Sequence, residues 1–156
     1  MSTEKKTTEA VTEKKAPVNI LDMLLGADVE KVKLPVKQFE IKRLSEAFGA
    51  PFVVTLKACS ADKWEELQDM ALSISGKDVE LDTNLMQTFI VMESVYEDEA
   101  ATKLLFKNKE LMAKYKATTP KDLVKSILLS GEIIAVYSAV ADLSGFGDDA
   151  ITEVKN

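Results

Sequence analysis

Four short stretches hold residue types at spacings from which a reactive site could be built. Ser60-Ala-Asp-Lys63 matches the S-x-x-K pattern in which a lysine activates a nucleophilic serine. Gly76-Lys77 has the ending of a phosphate-binding loop. Glu97, Asp98 and Glu99 gather three carboxylates, and Cys59 is the chain's one thiol. None of the four carries its chemistry through. The S-D-N and K-T-G companions of S-x-x-K are missing, and Ser60 stands where a helix N-cap is needed. A phosphate loop requires glycine at 71 and Ser or Thr at 78, where the chain has Ala71 and Asp78. Carboxylates adjacent in sequence do not converge on one cation, and no D-x-D-x-D-G loop is present, so 97–99 reads as a solvated helix end. The chain has no histidine, which removes Ser-His-Asp and Cys-His catalysis together with the usual zinc and non-haem iron sites. No catalytic residue, cofactor or metal ligand is therefore expected, and an enzyme is the remotest reading.

Length and charge narrow the classes further. A chain of 156 residues suits one domain that buries roughly two thirds of its unfolded surface without a staple. A single cysteine rules out an internal disulfide and fits a reducing compartment. Residues 1–17 hold four lysines and three glutamates, so the remaining chain carries −7 of the net −6. No basic block with interleaved aromatics occurs, so nucleic acid is not an expected partner. No apolar run is long enough to span a bilayer, and the N-terminus has no apolar leader core, so no membrane is expected and a cytoplasmic location is.

The elements follow from periodicity. Residues 1–17 are too polar to offset their ordering entropy and read as a disordered tail. Asn19 caps a short helix with Ile20, Leu21, Leu24 and Leu25 on one face and Gly26 as a left-handed stop; it docks on its own domain or on another chain. Alternation in Phe39–Leu44 and Phe52–Ala58 predicts two antiparallel strands joined by the loop LSEAFGAP. In the second strand Phe52, Val54, Leu56 and Ala58 share one face, with Thr55 and Lys57 on the other. Ser60 starts a helix in which Trp64, Leu67, Met70, Ala71 and Ile74 recur at helical spacing, and Gly76 ends it. Asp82 starts another, TNLMQTFIVMESVYE, apolar over well over half its circumference. LMAKY makes a short helical turn, and Thr119-Pro120-Lys121-Asp122 restarts the chain with a cap and a proline at the first helical position.

The longest apolar run, Ile127–Asp149, is broken or kinked at Gly131 and stops at Ser144-Gly145. Between Ile127 and Ala141 only Glu132 is charged. Ile133, Val136, Tyr137, Val140 and Leu143 form one face, while Ile134, Ala135, Ser138 and Ala139 lie opposite, which implies burial on both sides. The second face belongs either to the core or to a partner. Phe146 anchors a tail, 148–156, that is otherwise acidic and frayed. Together these expectations describe an α+β, mainly α chain: a small antiparallel β-hairpin packed on a bundle of about five to six helices, one domain over 18–147.

Five stretches resemble the tail assembly chaperones of long-tailed phages, of the type carried by Gram-positive myophages, prophages and defective phage-like particles. They are F-E-I-K-R-L at 39–44, P-F-V-V-T-L-K-A at 51–58, T-P-K-D-L-V at 119–124, L-L-S-G-E-I at 128–133 and L-S-G-F-G with following acids at 143–149. The family pattern often has a proline before Gly-Glu-Ile; this chain has Ser130. The resemblance implies a non-enzymatic protein of the host bacterial cytoplasm that binds the tape measure protein and keeps it soluble for tail tube polymerisation. It leaves open contact with the tail tube protein, self-association and, alternatively, a structural tail or baseplate component retained in the mature particle. It supplies no catalytic residues. Partner contacts are expected on the two over-apolar helices and the tail anchor, at Leu85, Phe89, Met92, Ile134 and Phe146.

Overall fold

Apolar and polar residues alternate on both sides of the first turn signal, and in the computed structural model of this chain that alternation becomes a sheet. Strands β1 (Val36–Glu40) and β2 (Val53–Lys57) pair antiparallel with Phe39 opposite Val54 and Gln38 opposite Thr55. The structure describes residues 19–26, 28 and 32–155. The tail 1–17, expected to be disordered, lies outside them. The chain divides into two units, Met1–Lys33 and Leu34–Asn156, a boundary inside the span expected as one domain.

In the first unit, Asn19 caps helix α1 (Ile20–Gly26) as expected, its Oδ1 accepting from the Leu21 and Asp22 amides at 2.9 and 3.2 Å. Gly26 closes that helix without a left-handed φ. The second unit is α+β and mainly helical. Among the described residues the chain has seven α-helices, a three-stranded sheet and a separate two-stranded one.

The link between β1 and β2 is not a loop. Lys42–Phe48 forms helix α2, ended by Gly49 at φ 69°, a left-handed stop that glycine adopts without strain. Arg43 and Leu44, expected in the strand, are helical, and Leu44 is buried. A third strand, β5 (Val95–Tyr96), pairs with β2 and makes β2 central. That explains why Thr55 is buried although it lies opposite the core-facing Val54 and Leu56. Its cross-strand neighbours Gln38 and Tyr96 flank it, and Gln38 donates to its hydroxyl at 3.4 Å.

Helix α3 (Ala61–Met70) is shorter than its apolar spacing predicts. The chain turns at Ala71 into a hairpin, β3 (Leu72–Ser75) and β4 (Asp78–Leu81), with Ser75 paired to Asp78 across Gly76-Lys77. Gly76 sits at φ 64° in that two-residue connection, so it is a hairpin residue and not a helix stop. Ser60 caps α3, accepting from the Lys63 amide at 3.1 Å, and the S-x-x-K pair is thereby a capping pair. Helix α4 (Thr83–Ser94) follows, capped by Asp82. It buries Met86, Thr88, Ile90, Val91, Met92 and Ser94, which makes it the central helix its composition predicts. It ends before Val95, which leaves for β5.

A 3-10 turn, Leu105–Lys107, drives Phe106 into the core. Helices α5 (Lys109–Lys114) and α6 (Pro120–Ile127) follow, the latter capped by Thr119 with Pro120 in its first turn. Helix α7 (Ser130–Ala141) runs on into a π turn, Asp142–Phe146, in which Gly145 takes φ 95°. The path bends by 114° between α6 and α7. The bend falls at Leu128 and Leu129, not at Gly131, which is already helical. Ser130 is the first residue of α7, the position proline suits best. No single helix among the described residues is long and apolar enough to cross a membrane.

Candidate functional site

Helix α7 decides where a partner could bind. Ile133, Val136 and Val140 are buried against the core, whereas Ile134, Ala135 and Ser138 are exposed. The reading of α7 as buried on both sides is therefore corrected: the second face is open although it carries no charge. A helix takes this form when packing stops at one side and small or aliphatic residues remain on the other.

Where the open side of α7 passes the sheet it borders a groove of about 290 Å³. Val54, Leu56 and Val136 lie in its lining, with Phe39 and Ile41 from the β1 side and Ala135 and Ala139 from the helix. Phe39 belongs to β1, an edge strand of the sheet, and shares the lining with Ala135 and Ala139 of α7. Because alanines face it there, space is left between ring and helix. The lining is overwhelmingly apolar, and two acids and two bases, Glu40, Lys42, Arg43 and Glu132, contribute to it.

Arg43 and Glu132 hold the two walls together. Arg43 Nε donates to Glu132 Oε2 and Nη2 to Oε1, both at 2.9 Å, and Nη2 also donates to the Ile127 carbonyl at 2.8 Å. The Leu129 amide donates to Glu132 Oε1 at 2.8 Å, so the same carboxylate completes the start of α7. The only charge between Ile127 and Ala141 thus serves twice, as a helix-end acceptor and as a bidentate ion pair to α2. Hydrogen bonds from Arg43, aided by the Leu129 amide and opposed by burial, hold the Glu132 carboxyl below its ordinary value of 4.5. A depressed carboxylate pKa gives stability that is present above the ordinary value and lost as pH falls through the lowered one. A side-chain carboxyl NMR titration should therefore place Glu132 below the ordinary value, and Arg43→Ala should return it upward. Arg43 is exposed, so the effect on overall stability is modest.

The other motif stretches are also joints. Ser144 Oγ accepts from the Cys59 amide at 3.0 Å and donates to the Val140 carbonyl at 2.7 Å, tying the π turn to the end of β2. Phe146 packs on Trp64 with ring centroids 4.5 Å apart while remaining largely exposed. The Asp122 carboxylate accepts from Thr118 at 2.9 Å, which fixes the loop before α6.

The five residues expected to meet a partner are not brought together. Met92 is buried, which removes it from any docking surface. Leu85 and Phe89 are half-buried against the core. Ile134 is exposed and lines a more polar depression with Asn84 and Lys125, and Phe146 lies at the far end beside Trp64. Ala135 and Ala139 belong to the second face that the sequence assigns to the core or to a partner, whereas Phe39, read only as a strand residue, was not singled out for a site.

The remaining chemistry-bearing side chains are occupied structurally. Cys59 is buried beside the Ser94 hydroxyl at 3.3 Å, and burial pushes its thiol pKa up, away from a reactive thiolate. Asp98 accepts from the Thr102 amide and hydroxyl and from the Lys103 amide, which hold its pKa at about 2. Among the described residues no group of three or more acidic, cysteine or histidine side chains could hold a metal ion.

Comparison with known proteins settles the class of the chain. The family described as Phage XkdN-like tail assembly chaperone protein matches residues 21–156. The chain belongs to that family. Tail assembly chaperones of this kind are not enzymes. The solved structure of the Bacillus protein YqbN is similar to this chaperone with a TM-score of 0.60 at 21% identity, covering 85% of this chain and 100% of that one, which is a likeness of fold. No curated protein matches it.

Proposed function

We propose that this chaperone binds the tape measure protein in the host bacterial cytoplasm and keeps it soluble until the tail tube polymerises, with the tail tube protein as a second contact. The observation that carries this reading is the groove between β1 and α7: an apolar lining open to solvent, its walls fixed by the Arg43–Glu132 pair. A preformed apolar groove accepts an apolar stripe of a client without an ordering cost on its own side. One small groove gives weak binding, but many copies along one long client gain from multivalency. The net charge of −6 helps keep such an assembly in solution.

Co-expression tests the reading. The tape measure protein should move from the insoluble to the soluble fraction when this chaperone is present and co-purify with it. Equal insolubility with and without the chaperone overturns the proposal. Mass spectrometry of purified particles should find no stoichiometric copy of the chain; finding one would make it a structural tail component instead.

A further inference from the structure

The β3–β4 hairpin places four aliphatic side chains on one face. Register pairs Leu72 with Leu81 and Ile74 with Val79, while Ser73 opposite Glu80 and Ser75 opposite Asp78 occupy the other face. The aliphatic face is open to solvent: Leu72 is 42% exposed, Ile74 76%, Val79 60% and Leu81 38%. Among the described residues no third strand joins this sheet. A two-stranded hairpin is marginal in water by itself, and a contiguous aliphatic patch on a soluble protein marks a contact surface.

Charge indicates what covers it. Between residues 69 and 82 the chain carries Asp69, Asp78, Glu80 and Asp82 against Lys77 alone. Asp78 and Glu80 lie on the opposite face of a sheet one residue thick, and Asp69 and Asp82 flank its open end, where Leu72 pairs with Leu81, all within about a Debye length of the patch. Each copy carries a net −3 over this stretch, four acids against one lysine, so two copies brought together repel, which disfavours self-pairing. A segment with Lys or Arg flanking its aliphatic residues meets both the patch and the field around it.

We infer that the aliphatic face of the hairpin is a second docking surface, separate from the groove, for a basic amphipathic segment of a tail protein client. The inference rests on the client-binding reading for the kind of partner and on the hairpin alone for the chemistry. Each contact is driven by burial of the four aliphatic side chains, and the acids steer basic flanks toward it.

The test places a photo-crosslinking amino acid at Ile74, at Val79 or, as a control, at Ser73 on the polar face, in full-length chaperone expressed with the phage tail genes. Adducts from Ile74 and Val79 should map by mass spectrometry to apolar segments with Lys or Arg flanks, with little from Ser73. Asp78→Asn with Glu80→Gln should lower that yield on the order of threefold at low salt, a difference that vanishes at about 1 M salt. A basic-flanked segment in a tail protein other than the tape measure supports the hairpin surface and overturns the client named above. Adducts to a second copy, to acidic or neutral segments, equally from Ser73, or none at all overturn the hairpin inference, while tape measure solubility still decides the other reading.

Discussion

Replacing Phe106 by alanine should lower the melting temperature of the chaperone by roughly 6–20 °C. The ring is 1% exposed and sits in the 3-10 turn where β5, α4 and α6 meet. Emptying such a site removes the transfer free energy of the ring and leaves a cavity that three elements cannot close together, a loss of about 3–5 kcal/mol. Against a total stability of about 5–15 kcal/mol this approaches global unfolding. Thermal and urea unfolding followed by circular dichroism check it. A shift below about 3 °C would mean that the turn collapses inward and that the core is less cooperative than its burial indicates.

The second large effect is on binding and leaves the fold alone. Ala135→Arg puts a long charged side chain on an exposed helix position that lines the groove. Arginine is a good helix former, and the site is open, so stability should change by less than about 0.5 kcal/mol. The groove, in contrast, is filled, and the tape measure protein should return to the insoluble fraction on co-expression. Full solubilisation by Ala135→Arg would exclude the groove as the client site. The two variants separate two jobs: Phe106 holds the unit together, and Ala135 leaves room.

Much of this arrangement is legible from the amino acids, and what is not has identifiable causes. Caps at Asn19, Ser60, Asp82 and Thr119 were readable because a short oxygen-bearing side chain ahead of an apolar period has one good use. The burial of α4 was readable from apolar residues around most of its girth. The β3–β4 hairpin was obscured because Ile74 lies four residues after Met70 as well as two after Leu72, so helical and strand periods both fit. The deciding signal was local: a two-residue Gly76-Lys77 connection between Leu-Ser-Ile-Ser and Asp-Val-Glu-Leu. Helix α2 was missed because its first residue, Lys42, continues the alternation of β1, although Arg43 breaks that period and Gly49 marks the helix end. Helix α7 shows the deeper limit. Its uncharged second face has the same composition whether a neighbour covers it or not, and only the folded structure shows Ile134, Ala135 and Ser138 exposed. Met92 against Ile134 makes the same point for the site, since both are apolar helix residues and only one reaches the surface.

The joints between motif stretches also set when the molecule can be finished. Arg43 meets Glu132 across 89 residues, and Cys59 meets Ser144 across 85. Closing loops of this length is an entropic cost that local contacts do not repay, so the sheet and α7 join late. During synthesis at about 5–20 residues per second, β1 and β2 exist for several seconds before α7 emerges to form the other wall of the groove. Emergence of α7 from the ribosome is thus the event that completes the groove, and a nascent chain has no groove to offer until that helix is out.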